Sequence, residues 1–257
     1  MLRIDNISRS FGGVYALQDV SVSVADSEVR GIIGANGAGK STLFNVISGH
    51  LAVDSGAITY DGRRIDQEAP HIRAQHGIAI VFQGARVFRG MTVLENVMVG
   101  AHASTHHGFL ASTFRLPVHR REESEIHERA HDALRRVDIV GWADLPAESL
   151  PLGQQRRLQI ARALCAQPRL LLLDEPASGL RSGERAALAD LIEELRANGL
   201  TMLLIEHDVG FVVRLADQVT VLDLGRVIAE GTPAEVTRNQ RVIEAYLGQD
   251  ANDAARG

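Results

Sequence analysis

The 257-residue sequence has one cysteine, Cys165. A single cysteine cannot form an intramolecular disulfide, so a small secreted domain held together by disulfides is excluded. The cysteine lies in a helical run between Leu164 and Ala166. We therefore expect it to be a small buried core residue.

Long apolar runs are missing as well. No stretch approaches the roughly 18 consecutive apolar residues that a membrane-spanning helix needs. The first residues, MLRIDNISRSF, do not contain the apolar segment of a signal peptide. We expect a cytosolic protein, whose contact with a membrane would depend on a partner.

An excess of positive charge is also absent, because the formal net charge is −5. Electrostatics therefore give no general reason to expect a nucleic-acid partner. The chain has no internal repeat and no low-complexity segment. With 45% hydrophobic residues it can bury a full α/β core, as one large domain or as a domain with an inserted subdomain.

Short β-rich runs open the chain and return after residue 168. LRIDNIS, VSVSV and VRGIIG are predicted strands, and AITY and RRID flank an Asp61-Gly62 turn as in a hairpin. IAIVFQ (78–83) is a short apolar run and RLLLLD (169–174) is almost wholly apolar, so both are predicted buried strands. TMLLIEHD (201–208) is another predicted buried strand. VTVLDLGRVIAEG predicts a further hairpin. The segments between them favour helices, which makes the fold class α/β.

Residues 84–150 differ in character from the rest. The charged run 121–137 has apolar residues at helical spacing, which leaves one apolar face and predicts an inserted helical subdomain. These apolar residues are Ile126, Ala130, Ala133, Leu134 and Val137. A later helix, ERAALADLIEELRANG, is closed by Gly199. Near the end of the sequence, Thr232, Pro233 and Glu235 form a predicted capping box.

The clearest chemical motif is GANGAGKS at residues 34–41, which fits G-x-x-x-x-G-K-[ST] between an apolar strand and a helical run. Its glycines allow backbone N–H groups to surround phosphate oxygens. Lys40 can reach the β- and γ-phosphates, and the Ser41 hydroxyl can bind Mg²⁺. We predict a nucleoside triphosphate site. Its nucleotide-binding residues are Gly34, Ala35, Asn36, Gly37, Ala38, Gly39, Lys40, Ser41 and Thr42.

Two carboxylates, Asp174 and Glu175, end the apolar strand LLLLDE. The first can hold the hydration shell of Mg²⁺, and the second can polarise an attacking water. Such strand ends are common, but this one follows the phosphate motif by about 135 residues. That order favours a nucleotide-hydrolysing site.

These segments resemble the nucleotide-binding subunit of ATP-binding-cassette (ABC) transporters, and the resemblance covers nearly the whole chain. Phe11 occupies the place of the family's adenine-stacking aromatic residue. Gln83 matches the glutamine that contacts Mg²⁺ and senses the membrane partner. Asp174 and Glu175 match the metal-associated aspartate and the catalytic glutamate, and His207 matches the histidine that contacts the γ-phosphate. The resemblance implies ATP and Mg²⁺ as ligands, with Glu175, His207 and Gln83 catalytic and Ser41, Gln83 and Asp174 at the metal.

LPLGQ (150–154) aligns with the family signature, usually Leu-Ser-Gly-Gly-Gln. The resemblance implies that two cassettes stack head to tail, so that Gly153 and Gln154 of one contact the γ-phosphate held by the other. Pro151 replaces the usual serine, and Arg181 stands where the family often has aspartate. Both departures fall on the implied dimer interface and concern the rate of hydrolysis more than nucleotide binding.

The implied fold is a P-loop core with a mostly parallel sheet, an antiparallel β subdomain and an inserted helical subdomain. We divide the chain into a first part of the nucleotide-binding core (1–83), the helical subdomain with the signature (84–165), a second part of the core (166–230) and a C-terminal helix and tail (231–257).

Four segments resemble the cassettes of branched-chain amino-acid importers: QQRRLQIARAL, DEPASGL, LLIEHDV and the tail GTPAEVTRNQRVIEAYLG. The implied partners are a second cassette, of the same or a related chain, with membrane permease subunits and a separate substrate-binding protein. The chain would then lie on the inner face of the membrane. Related cassettes import urea or amides or export lipopolysaccharide, and non-transport cassettes act in translation or DNA repair. A P-loop kinase or GTPase is a further alternative, but the guanine-reading Asn-Lys-x-Asp motif is absent.

Overall fold

The structure is a computed structural model that describes residues 1–84, 87–104 and 117–245. Its strands are β1 (Leu2–Phe11), β2 (Val14–Val24), β3 (Val29–Gly34), β4 (Ser55–Tyr60), β5 (Arg63–Arg64), β6 (Ile78–Val81), β7 (Leu170–Asp174), β8 (Thr201–Ile205), β9 (Gln218–Asp223) and β10 (Arg226–Gly231). Its α-helices include α1 (Lys40–Ser48), α2 (Pro70–Gln75), α3 (Val93–Met98), α4 (Pro117–Arg136), α5 (Leu152–Cys165), α6 (Ser182–Ala197), α7 (Val209–Leu215) and α8 (Pro233–Val236). A further helical turn covers 240–245.

The larger sheet has the strand order β10-β9-β3-β8-β7-β6. All neighbours in it are parallel except β10 and β9, which form the predicted antiparallel hairpin. Because the carboxyl ends of parallel strands meet at one edge of a sheet, the loops after β3, β6, β7 and β8 lie along the same edge. This edge carries the candidate site.

The smaller sheet is antiparallel, with the order β2-β1-β4-β5. Asp61 and Gly62 make the turn between β4 and β5, and both have positive φ (48° and 77°), as the predicted hairpin requires. The mostly parallel sheet and the antiparallel subdomain therefore confirm the predicted fold class.

The larger sheet is covered on both faces. Leu170 and Leu172 of β7 belong to a buried cluster with the smaller sheet and α1, whereas Leu171 and Leu173 belong to a cluster with the helices. All four side chains are fully buried. Alternate residues of a strand point to opposite faces, so an uninterrupted leucine run is what such a strand needs.

The predicted amphipathic helix is α4, which packs with α3 and α5. Three of its predicted apolar positions are buried, Ala130, Ala133 and Leu134, and Ile126 is partly buried. Val137, directly after the helix, is buried as well. The helix begins earlier than predicted, at Pro117. Residues 105–116 of the predicted subdomain lie outside the described residues. No helix within the described ranges is long and apolar enough to cross a bilayer.

Two strands are shorter than the sequence predicted. β6 ends at Val81, which pairs with Leu173, so Gln83 lies in a loop and not at the end of the strand. β8 ends at Ile205, which pairs with Asp174. The next residue of the central strand, Glu175, has a φ of 43° and leaves the sheet. In the register that pairs Val81 with Leu173, Gln83 would face Glu175, so Gln83 has no strand backbone to pair with.

Other local predictions are confirmed. The Thr232 hydroxyl accepts from the Glu235 N–H, and the Thr232 N–H donates to the Glu235 carboxylate, which completes the capping box of α8. Gly199 closes the turn after α6 with a φ of 84°. Cys165 is buried at the end of α5, and burial raises the pKa of its thiol to about 11. It is a core residue.

Candidate nucleotide-hydrolysis site

The phosphate loop (residues 34–41) connects β3 to α1 and packs closely on two neighbouring strands. A Cβ atom at Gly34 would lie 2.2 Å from the Leu222 carbonyl oxygen, and one at Gly39 would lie 2.5 Å from that of Ala16. Both glycines have positive φ, 154° and 102°. Only glycine fits these two positions, and the resulting tight turn aims backbone N–H groups into the loop.

Helix α1 begins at Lys40, and none of the described side chains caps its N-terminus. The free N–H groups and the helix dipole make this end attractive to an anion. The Lys40 side chain is 6% exposed and donates to the carbonyl oxygens of Gly34 (2.7 Å) and Ala35 (2.8 Å). Burial lowers its pKa, and the charges of Glu175 and Asp174 oppose that shift. A cation is thus held over the loop.

Asp174 is the last residue of β7, and Glu175 follows it at the same sheet edge. Burial and the negative charge of Glu175 raise the pKa of Asp174, and Lys40 partly counteracts them. The Glu175 N–H donates to the Ile205 carbonyl (2.9 Å) while its φ of 43° turns the chain out of the sheet. A left-handed non-glycine residue costs about 1–3 kcal/mol, and such positions cluster at functional sites.

Gln83 and His207, which are far from Glu175 in the sequence, lie beside its carboxylate. Gln83 donates its Nε2 hydrogen to Glu175 Oε2 (2.6 Å), and His207 Nδ1 lies 3.6 Å from the same oxygen. They come from the loops after β6, β7 and β8, which are adjacent in the sheet. Both contacts are made to the same oxygen, and the hydrogen bond from Gln83 restrains the Glu175 carboxylate.

Glu206, which the sequence analysis missed, lies directly before His207. It is 1% exposed, and its Oε1 accepts from the Ala177 N–H (2.9 Å). Burial is the main reason that its pKa is raised. His207 Nδ1 is 3.7 Å from its second oxygen. The only signal in the sequence was a carboxylate at the end of an apolar strand.

The predicted metal ligands fit Mg²⁺. Ser41, Gln83 and Asp174 offer a hydroxyl, an amide oxygen and a carboxylate, all hard oxygen donors. Burial and the charge of Glu175 raise the pKa of the Asp174 carboxyl, and a bound cation would favour its charged form. The described residues contain no cluster of three or more His, Cys, Asp or Glu that could hold a metal. Few protein ligands are expected for Mg²⁺, which keeps waters and substrate phosphates as ligands.

Phe11 lies at the turn end of the β1–β2 hairpin, paired with Val14. Its side chain is 50% exposed, and the Arg9 guanidinium lies 5.0 Å from the ring centre. Phe11 is therefore not a core residue, and one face of a surface aromatic ring can stack on a planar ligand.

The signature segment (residues 150–154) lies apart from these groups. Pro151 is the exposed N-cap of α5, with a φ of −56°, and Gly153 and Gln154 are in the first turn. A Cβ atom at Gly153 would lie 2.8 Å from Glu184 Oε1. Glu184 Oε2 also accepts from the Arg181 N–H at the start of α6. Among the described residues, no hydrogen bond or ion pair joins the signature segment to the phosphate loop.

The sequence matches two family models. Residues 17–178 match the model described as ABC transporter, and residues 226–252 match the one described as branched-chain amino acid ATP-binding cassette transporter. The high-affinity branched-chain amino acid transport ATP-binding protein BraF of Pseudomonas aeruginosa is 40% identical over 250 residues, which are 97% of this chain and 98% of that protein.

Solved structures agree with these matches. The ADP conformation of MJ1267, an ATP-binding cassette of an ABC transporter, has a TM-score of 0.83 and 34% identity, covering 96% of this chain and 98% of that chain. The dimeric structure of MJ0796, a bacterial ABC transporter cassette, has a TM-score of 0.75 and 26% identity, covering 91% of this chain and 99% of that one.

Proposed function

This chain belongs to the ABC transporter family, and from that premise we propose that it hydrolyses ATP to power uptake of branched-chain or related amino acids through a membrane permease. One observation carries the substrate class. The likeness to a branched-chain amino acid cassette extends over 97% of the chain and includes a separate match at residues 226–252, beyond the nucleotide motifs.

Nucleotide binding follows from the phosphate loop. Its backbone N–H groups and the start of α1 favour the phosphates of ATP, and Lys40 exchanges its two carbonyl contacts for the β- and γ-phosphates. Phe11 stacks on adenine. Ser41, Gln83 and Asp174 hold Mg²⁺, which when bound neutralises charge on the phosphate oxygens.

Hydrolysis follows from the group around Glu175. The Glu175 carboxylate accepts a proton from the water that attacks the γ-phosphate, while the Gln83 amide keeps the carboxylate in place. His207 contacts the γ-phosphate from the neighbouring loop. The proximity of His207 to Glu175 supports one shared reaction centre.

The signature segment serves a second cassette. We propose that Gly153, Gln154 and the N-terminus of α5 complete the ATP site held by the phosphate loop of an opposing subunit, which is the same chain or a related one. The exposure of Pro151 and the lack of a side-chain cap among the described residues support this assignment. The dimeric structure of a similar cassette supports it as well.

We also propose the remaining partners and the division of the chain. Two permease subunits hold the chain at the inner face of the membrane, and a separate binding protein delivers the substrate. No nucleic acid takes part. The segments 1–83, 84–165, 166–230 and 231–257 are the two parts of the nucleotide core, the helical subdomain between them and the C-terminal tail. The packing of α3, α4 and α5 on one another supports the boundary of the helical subdomain.

Reconstitution tests this function. The chain is purified with its permease subunits, placed in vesicles with the binding protein, and supplied with ATP and Mg²⁺ on the cassette side. We expect uptake of labelled leucine, and no uptake with Lys40→Ala. Uptake of urea or short amides in place of leucine would refute the substrate class. A wild-type complex that hydrolyses no more ATP than the Lys40→Ala complex would refute the proposed ATPase activity.

A further inference from the structure

A buried arginine of α5 lies beneath the reaction centre. Arg156 is 5% exposed and is two residues beyond the signature segment. Its Nη1 group donates to the Gln83 carbonyl (3.4 Å), and its Nη2 group donates to the Ser178 carbonyl (3.1 Å). The first carbonyl belongs to the residue whose side chain holds Glu175. The second belongs to the linker loop (residues 175–180), which begins at Glu175. One guanidinium therefore holds both loops.

A second side chain of α5 strengthens the contact with the first loop. Gln159 is 3% exposed, one turn after Arg156. Its Oε1 accepts from Arg156 Nη1 (3.3 Å), and its Nε2 donates to the Gly84 carbonyl. Two successive carbonyls, of residues 83 and 84, are thus held by two mutually bonded side chains of one helix.

The linker loop is held from the opposite side by Glu206. Its carboxylate accepts from the Ala177 N–H, while Arg156 donates to the next residue, Ser178. Burial lowers the pKa of Arg156, and the charge of Glu206 partly offsets that shift. A buried anion and a buried cation thus fix neighbouring peptide groups of the segment that carries Glu175.

We propose that Arg156 is a positioning residue for ATP hydrolysis. Arg156 lies on the helix whose signature segment serves a partner's ATP. It contacts the loops of Gln83 and Glu175, which serve the ATP of its own chain. Movement of α5 when its signature segment engages a partner's ATP displaces both loops together and sets the Glu175 carboxylate for its own ATP. This inference rests on the proposed ATPase function.

The next residue provides a matched control. Arg157 lies on the same helix and also donates to two backbone carbonyls, those of Val137 (2.7 Å) and Ala187 (3.3 Å). Neither carbonyl is in the loops of Gln83 or Glu175. Loss of either arginine removes a similar anchor from the fold, but only Arg156 contacts the reaction centre.

The experiment compares Arg156→Lys with Arg157→Lys in the purified chain. Lysine keeps the charge, but its ammonium cannot reproduce the planar fork of arginine. A displacement near 1 Å can cost about 100-fold in rate, so we expect kcat of Arg156→Lys to fall at least about tenfold. The Kd for ATP, measured with EDTA, should stay within about threefold of the wild-type value, because the phosphate loop is untouched. Arg157→Lys should keep kcat within about twofold.

Thermal unfolding checks that each variant is folded, and the rate for each bound ATP separates a positioning defect from a folding defect. A purely structural defect lowers the number of ATP sites and the total rate in the same proportion, whereas a positioning defect lowers the rate for each bound ATP. Gln159→Glu gives a second variant, because it keeps the acceptor for Arg156 and loses the donor to Gly84. We expect its kcat to fall too, and the two losses to be less than multiplicative in the double variant.

Two results would overturn the inference. The first is an active wild type in which Arg156→Lys, or Gln159→Glu if the lysine variant does not fold, keeps the same kcat per bound ATP as Arg157→Lys. The second is a wild type that hydrolyses no ATP in the same preparation, which refutes the proposed function and the inference with it.

Discussion

The two ATP-facing regions of this chain are built differently. At the phosphate-loop region, Lys40 donates to carbonyl oxygens of its own loop, and Gln83 and His207 lie against Glu175, all within one chain. The signature segment, by contrast, presents an exposed proline and an uncapped helix start, and the buried Oε1 of Gln154 has no hydrogen-bond partner among the described residues. Side chains of the first region contact one another within the chain, whereas the second has polar groups without hydrogen-bond partners among the described residues.

The difference follows from the fold. The first region uses loops at the common edge of four adjacent parallel strands, where separate sequence segments meet. The second uses one helix end at the surface, where Gly153 lies close to Glu184, which already accepts from the Arg181 N–H. In the proposed dimer, each chain would hold the chemistry of one site and the closing surface of another. The predictions below test whether the two regions divide the work in this way.

Glu175→Gln should have the largest effect. It keeps the size of the side chain and removes its charge, so we expect kcat to fall by about 10²–10⁴-fold, the usual contribution of a general base. ATP should still bind, and an ATP-bound dimer should accumulate. Steady-state hydrolysis and sedimentation with ATP measure the two effects. Normal turnover would place the base outside the phosphate-loop region.

Lys40→Ala should come next. It removes charge-assisted contacts to two phosphates, each worth about 1.5–3 kcal/mol, so ATP affinity should fall by at least about 100-fold. Equilibrium binding of labelled ATP measures the loss, and circular dichroism checks that the fold is intact. Wild-type affinity in a folded Lys40→Ala protein would rule out the proposed nucleotide site.

Phe11→Ala should have a moderate effect on binding. Loss of an aromatic platform costs about 1–3 kcal/mol per base, which should raise the KM for ATP more than it lowers kcat. The melting temperature should hardly change, because the ring is half exposed. Tyr15→Ala, on the adjacent strand and also exposed, is the control and should bind ATP normally. A lower melting temperature with unchanged KM would make Phe11 a structural residue.

Pro151→Ser should have the smallest effect, and it tests the signature region directly. Proline has neither an N–H nor a hydroxyl to donate, so we expect the backbone N–H groups near Gly153 and the Gln154 side chain to contact the partner's ATP. A serine hydroxyl should then increase ATP-dependent dimerisation or turnover, by at most about tenfold, or roughly 1.5 kcal/mol. Sedimentation and hydrolysis assays are made on the chain alone and with a partner cassette.

The opposite outcome of that experiment is also informative. If both forms are inactive alone and a related cassette restores normal activity, the signature region of this chain is degenerate. The working pair would then be a heterodimer whose catalytic work falls to the other cassette.

Much of this architecture could be predicted from the sequence because the signals are local. The leucine run of β7 requires a strand covered on both faces, and the glycines before Lys40 require a tight turn between a strand and a helix. The spacing of Ala130, Ala133, Leu134 and Val137 predicts the buried face of α4. Each of these features depends on a few residues that are close together in the sequence.

Contacts between distant segments could not be predicted in the same way. β6 pairs with β7, and β7 ends where the chain leaves the sheet at Glu175. The position of Gln83 in a loop therefore depends on Glu175, which is distant in the sequence. Arg156 and Arg157 are adjacent arginines in one helical run, and nothing in their local sequence indicates which of them faces the reaction centre. Glu206 gave the same ambiguity, because a buried carboxylate and a solvated one look alike in a sequence.

The sequence by itself determined the phosphate loop, the order of strands and helices, and the types of residue available for chemistry, since backbone turns and apolar periodicity are properties of short segments. Only the tertiary structure decided that Gln83 and His207 meet at one carboxylate, that Phe11 is exposed, and that a buried Arg156 connects the signature helix to the linker loop. These features depend on which loops the parallel strands bring to one edge, and on which side chains that packing removes from water.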